Sequence, residues 1–140
     1  MSPPLAAAAL AALQCMQLEP ERVQALQARG RYFLKQAQEA GFDTGSSAGM
    51  AVIPIILGDS DKTIRLAAAM LEHGVSVQPI LYPAVPQKST RLRFFMSCQH
   101  TEADIDYTIE ALVSEMEVFS ANSQRTQTRE RAESTNITYR

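Results

Sequence analysis

Apolar positions recur along the chain with two different periods, and those periods predict most of its elements. From Val23 the apolar or small residues Leu26, Gly30, Phe33, Ala37 and Ala40 return every three or four positions, one face of a long helix that starts at Pro20. Gly41 follows where a left-handed C-terminal cap is wanted. Before it, Pro3 and Pro4 open an Ala- and Leu-rich segment that suits a helix from Leu5 to Gln17. With so little polar surface, that first helix is expected to be largely buried.

Past a Gly/Ser/Thr/Asp loop from Phe42 to Gly49, Met50 to Leu57 is an apolar, β-branched run that reads as a buried strand. Pro54 cannot donate to a ladder, so the strand lies at an edge or is bulged there. Asp59 or Ser60 can cap the next helix, whose Ile64, Ala67, Ala68 and Leu71 share a face and which Gly74 ends. Val75 to Tyr82 supplies a second strand, Pro83 to Thr90 a Pro-punctuated loop, and Arg91 to Ser97 a third strand. With a period of two, Leu92, Phe94 and Met96 share one face of that strand; Arg91, Arg93, Phe95 and Ser97 share the other. Thr101 and Asp104 have capping-box spacing, and Ile105, Ile109, Leu112, Met116 and Phe119 trace the buried stripe of a last helix.

These elements predict an α+β fold: a small three-stranded, mainly antiparallel sheet covered by helices and preceded by two N-terminal helices. The domain spans residues 2–119. Residues 120–140 carry almost nothing apolar, so they are expected to form a disordered polar tail. Asn136-Ile137-Thr138 has glycosylation spacing, which is coincidental in a chain read as cytoplasmic.

Composition narrows the function classes. A formal net charge of -2 with both signs dispersed offers no basic field for nucleic acid. The apolar opening is too short to span a bilayer, and no Lys or Arg precedes it as a signal peptide requires. Cys15 and Cys98 lie far apart, and two buried thiols are expected rather than a disulfide or a zinc site. His73 and His100 have no metal-ligand spacing with Cys98; one suits a helix C-terminus and the other precedes a helix cap. The loop Gly41 to Gly49 opens onto a strand, so it lacks the helix dipole of a phosphate cradle. Asp104 and Asp106 do not face each other on a helix. No set of residues makes a self-contained catalytic centre, and no metal site is expected. Arg91 and Arg93 carry two readings: guanidinium groups on a rigid strand that hold a carboxylate through paired hydrogen bonds, or a solvated strand face.

The stretch Gly74-Val75-Ser76-Val77-Gln78-Pro79-Ile80-Leu81-Tyr82-Pro83-Ala84-Val85-Pro86, with Arg91-Leu92-Arg93, Ser97, His100-Thr101 and Asp104-Ile105-Asp106, resembles the α-oxoamine synthase family. Ser2-Pro3-Pro4 and Ile53-Pro54-Ile55 before Gly58 fit as well, so the resemblance covers Ser2 to Phe119. It implies the C-terminal small domain of a pyridoxal 5'-phosphate enzyme. A large domain would hold the cofactor on a lysine, and the small domain would close over an amino acid and an acyl thioester in a homodimer. By resemblance, Arg93 holds the amino acid's carboxylate. Two departures stand out. Ala84 occupies a position where several members have threonine, and none of Lys35, Lys62 and Lys88 has the Ser/Thr-rich setting of a Schiff-base lysine. The resemblance therefore implies that this chain alone is inactive and that the cofactor belongs to the large domain. The rival expectation is a stand-alone binding or regulatory module that kept the fold without the chemistry.

Overall fold

In a computed structural model that describes residues 2–137, the elements run α1 (Pro3–Leu18), α2 (Pro20–Glu39), β1 (Val52–Ile56), α3 (Ser60–Glu72), β2 (Gln78–Ile80), a 3-10 turn (Gln87–Ser89), β3 (Arg91–Phe95) and α4 (Glu102–Ile137). The sheet has the order β1-β3-β2, with both ladders antiparallel. The last strand thus inserts between the two that α3 connects. β1 is an edge strand, which is where Pro54 costs least.

One face of this sheet carries the core. Ile53 and Ile55 of β1 pair in register with Phe94 and Leu92 of β3, and all four are buried. The helices α2, α3 and α4 cover them with Phe33 and Ala37, Leu66 and Met70, and Ile105, Ile109 and Leu112. Phe33 and Phe94 meet ring to ring, with centroids 4.9 Å apart and a 39° tilt. α2 comes so close to the strand layer that a Cβ on Gly30 would lie 2.0 Å from the Met50 carbonyl oxygen, so only glycine fits. Gly41, with φ +83, closes the end of α2 as its sequence position predicts.

At the start of α4 the Thr101 N–H donates to Asp104 Oδ2 at 2.8 Å, and the Asp104 N–H donates to Thr101 Oγ1 at 3.1 Å, a reciprocal capping box. Arg29 of α2 reaches the His100 carbonyl and Glu102, and the Tyr32 hydroxyl donates to Asp106 Oδ1 at 2.8 Å, clasping α2 to α4. That hydrogen bond raises the Tyr32 phenol above its ordinary pKa.

Three expectations need correction. No residue of α1 is buried; Leu5, Leu10, Leu13, Met16 and Leu18 are exposed, because its apolar residues surround it and α2 alone cannot cover every side. α3 buries Thr63, Leu66 and Met70 rather than the Ile64–Leu71 face. It has two apolar stripes, and the one that meets the sheet and α4 wins, leaving Ile64 and Leu71 exposed. Cys15 is exposed on α1 and Cys98 is half-buried, so the two thiols are not both interior. The helix α4 runs from Glu102 to Ile137, with no glycine or proline in it to stop it. Of the expected tail, residues 138–140 lie outside the described residues.

Candidate functional site

The opposite face of the same sheet is open. Register places three rows across it: Ile56, Arg91 and Ile80; Pro54, Arg93 and Gln78; and, at the end, Val52 opposite Phe95. Arg93 therefore sits in the middle strand and the middle row. Not one of these eight residues is acidic, so the face is apolar with two cations set in it.

The two arginines differ in what holds them. Arg91 Nε donates to the Ser89 carbonyl at 2.7 Å, tying that guanidinium to the loop beside it. Arg93 has no side-chain hydrogen bond or salt bridge among the described residues. A planar fork of donors on a rigid strand, with no internal acceptor, is suited to a carboxylate. The loop that precedes β3 is fixed at its end, because the Leu57 and Gly58 N–H groups both donate to the Thr90 carbonyl. Thr90 Oγ1 is buried without a partner among the described residues.

A cleft of about 590 Å³ lies next to the Phe95 end of this face, between the residues that enter β2 and the start of α4. His73, Ser76, His100 and Tyr107 are among its walls. Most of its polar groups already have partners. His73 Nε2 lies 2.9 Å from Glu115 Oε1, the Tyr107 hydroxyl donates to the His73 carbonyl, and His100 Nδ1 accepts from the Ser97 N–H. Asp104, also at the rim, is held below the ordinary carboxylate range by the Thr101 N–H and hydroxyl. These groups serve the fold, and no nucleophile–base pair emerges among them. Asp104 and Asp106 have separate structural partners, Thr101 and Tyr32. Among the described residues, no group of three His, Cys, Asp or Glu could hold a metal ion, and no helix is long and apolar enough to cross a membrane.

The lysines do not fit an aldimine-forming cofactor. Lys35 lies on the exposed side of α2 with Glu39 at 3.7 Å, Lys62 is in the first turn of α3, and Lys88 is exposed in the 3-10 turn. None of them lines the cleft or the open face.

Alternation in β3 had already set Arg91, Arg93 and Phe95 on one side. The flanking Val52, Pro54, Ile56 and Ile80 were not legible as part of the same surface, since β1 is apolar on both faces and the strand order carries no local signal.

Residues 1–112 match the aminotransferase class I and II family. The chain is 40% identical over 109 residues to an 8-amino-7-oxononanoate synthase of Symbiobacterium thermophilum, covering 78% of this chain and 28% of that protein. It is 36% identical over 112 residues to a serine palmitoyltransferase of Bacteroides ovatus, covering 80% of this chain and 28% of that one. A crystal structure of 8-amino-7-oxononanoate synthase from Francisella tularensis shares the fold, with a TM-score of 0.70 at 21% identity over 81% of this chain and 32% of that one. The chain thus spans little more than a quarter of the length of the curated relatives it matches.

Proposed function

Because this chain belongs to the class I and II aminotransferase family, and within it resembles the α-oxoamine synthases, we propose that it is the substrate-closing small domain of a pyridoxal-phosphate-dependent acyltransferase. The proposed reaction joins an amino acid to an acyl thioester. The observation that carries this reading is Arg93, a guanidinium without a partner among the described residues at the centre of an open, acid-free sheet face. Its fork would receive the amino acid's carboxylate through two parallel N–H···O bonds, fixing the orientation of the α-carbon. Arg91, tied to Ser89, would add positive potential without touching the carboxylate directly.

The cofactor supplies the carbanion chemistry in enzymes of this kind, and this chain's residues do not anchor it. The proposal therefore assigns the chain binding and orientation, places the cofactor and its lysine in a large domain that this chain packs against, and predicts no condensation by the chain alone. A cytoplasmic homodimer is the proposed setting.

Steady-state kinetics of the enzyme that carries this domain test the assignment. Arg93→Ala is expected to raise the amino-acid KM far more than Arg91→Ala, with a loss on the order of 2–5 kcal/mol in kcat/KM and incomplete rescue by Arg93→Lys. Equal and mild effects of the two alanine substitutions would return Arg93 to the role of a solvated surface residue.

A further inference from the structure

Register gives Arg93 two neighbours of unlike chemistry. On one side, in β1, stands Pro54, whose ring has no group for a hydrogen bond; on the other, in β2, stands Gln78. Directly opposite residues of an antiparallel pair carry their Cβ atoms about 4.5–5.5 Å apart, so the Gln78 carboxamide and the Arg93 guanidinium rise from adjacent points of one face. Among the eight residues of that face, Gln78 has the only uncharged side chain that forms hydrogen bonds. It is exposed and makes no side-chain hydrogen bond among the described residues. Its backbone is nevertheless well held. Val77 turns into the core and Pro79 pairs with Leu92, which sets Gln78 on the open side. The turn that leads into β2 is tied to α3, where the Val75 N–H donates to the Met70 carbonyl, and to α4, where the Tyr107 hydroxyl donates to the His73 carbonyl.

A carboxylate has more acceptor capacity than one guanidinium fork uses: the fork takes one lone pair on each oxygen and leaves the others open. Pro54 has no donor to fill them, whereas the carboxamide of Gln78 does. As a neutral group it does not repel the ligand; a glutamate at this position would pair with Arg93 and do so. We propose that Gln78 is a second carboxylate-binding residue, donating through its side-chain Nε2–H to the carboxylate that Arg93 holds. This rests on the carboxylate-binding role of Arg93 and adds an orientation to it. A symmetric fork leaves the two oxygens equivalent, and a third donor from the β2 side makes them unequal, so the carboxylate is fixed in its plane as well as its position.

Kinetics of the enzyme that carries this domain test the assignment, with glycine, L-alanine and L-serine as probes and the one turned over fastest used for the variants. Gln78→Leu keeps the bulk and loses the donors. It is expected to raise the amino-acid KM about tenfold, while kcat and the KM for the acyl donor change by less than about twofold. In an Arg93→Ala background the same substitution should cost less than about twofold, because the carboxylate that both groups share is no longer held there. Gln78→Glu should raise the amino-acid KM about a hundredfold, by pairing with Arg93 and repelling the ligand. Gln78 is exposed on an edge strand, so these variants keep their fold, which an unchanged urea midpoint verifies. A mild Gln78→Leu beside a severe Arg93→Ala overturns the inference and leaves the role of Arg93 standing. So does a Gln78→Leu penalty that persists undiminished without Arg93, or one that falls equally on the acyl donor. Mild effects of both Arg93→Ala and Gln78→Glu remove the carboxylate site, and Gln78 with it.

Discussion

The two faces of the sheet are built from alternate residues of the same strands, yet they answer to different demands. Leu92 and Phe94 point into a layer closed by three helices; Arg91, Arg93 and Phe95, their immediate neighbours, point out of it. An inner residue is held by packing on every side, so its identity is set by volume. An outer residue has little to hold it, so its identity is free to serve a ligand. If this division is real, adjacent phenylalanines must behave oppositely. Phe94→Ala should cost about 3–5 kcal/mol in urea unfolding, because it leaves a cavity against Phe33. Phe95→Ala should change stability by less than about 0.5 kcal/mol. Similar losses at both positions would mean that the outer face is a second core surface.

The inner layer can be probed from behind as well. Gly30→Ala gains about 1 kcal/mol of helix propensity, but its methyl meets the Met50 and Gly49 carbonyl oxygens, which are backbone and cannot swing aside. α2 would have to lift off the strand layer. A net loss of about 3 kcal/mol is expected, the upper part of the range for overpacking, read from the same unfolding curves. A neutral result would show that α2 is not seated as tightly as the close approach implies.

A smaller effect belongs to the cap of α4, which supplies Ile105, Ile109 and Leu112 to the inner face. Thr101→Ala should lose about 1 kcal/mol, since it removes the acceptor for the Asp104 N–H. The same box makes stability depend on acid. Asp104 has its pKa lowered by the Thr101 N–H and hydroxyl, so its contribution is fully present above the ordinary carboxylate pKa and is lost as pH falls below that value through the lowered one. Asp104→Asn should flatten this part of a stability–pH profile, and an unchanged acid limb would show that other carboxylates set it.

Much of this arrangement was legible in the sequence because it is local. The alternation in Arg91-Leu92-Arg93-Phe94-Phe95, the Thr101/Asp104 box, the αL position of Gly41 and the edge preference of Pro54 each follow from a few neighbouring residues and elementary sterics. What escaped was decided by contacts between distant segments. α3 has apolar residues on two sides, and only the packed sheet chooses Leu66 and Met70 over Ile64 and Leu71. α1 reads as a buried helix because it is apolar all round, but burial needs surrounding surface, and α2 covers only one side of it. The candidate site shows the same split. Arg93 could be placed on a face from its own strand, whereas its setting among Val52, Pro54, Gln78 and Ile80 depends on β3 inserting between β1 and β2. The difference between Arg91 and Arg93 depends on one hydrogen bond to Ser89, which spacing cannot foretell.

That hydrogen bond gives the comparison its finest test, because it separates two arginines on the same face by what the fold asks of each. Arg91 stabilises its loop through a charge-assisted bond to a carbonyl, so Arg91→Ala should lower the urea midpoint by a small but measurable amount, equivalent to about 1 kcal/mol. Arg93 has no such partner among the described residues, and it shares a strand face with Arg91, two residues away. Removing it relieves some repulsion between like charges and forfeits only the packing of its methylene stem against the sheet. These terms oppose each other, so Arg93→Ala should be neutral to within about 0.5 kcal/mol, and slightly more favourable at low salt, where the repulsion is least screened. A neutral Arg93→Ala would leave the carboxylate role proposed above as the reason for a cation at the centre of this face. Unfolding curves at two salt concentrations decide the matter: a clear destabilisation by Arg93→Ala, equal to that of Arg91→Ala and insensitive to salt, would make Arg93 a structural residue and remove the physical basis for giving it a ligand.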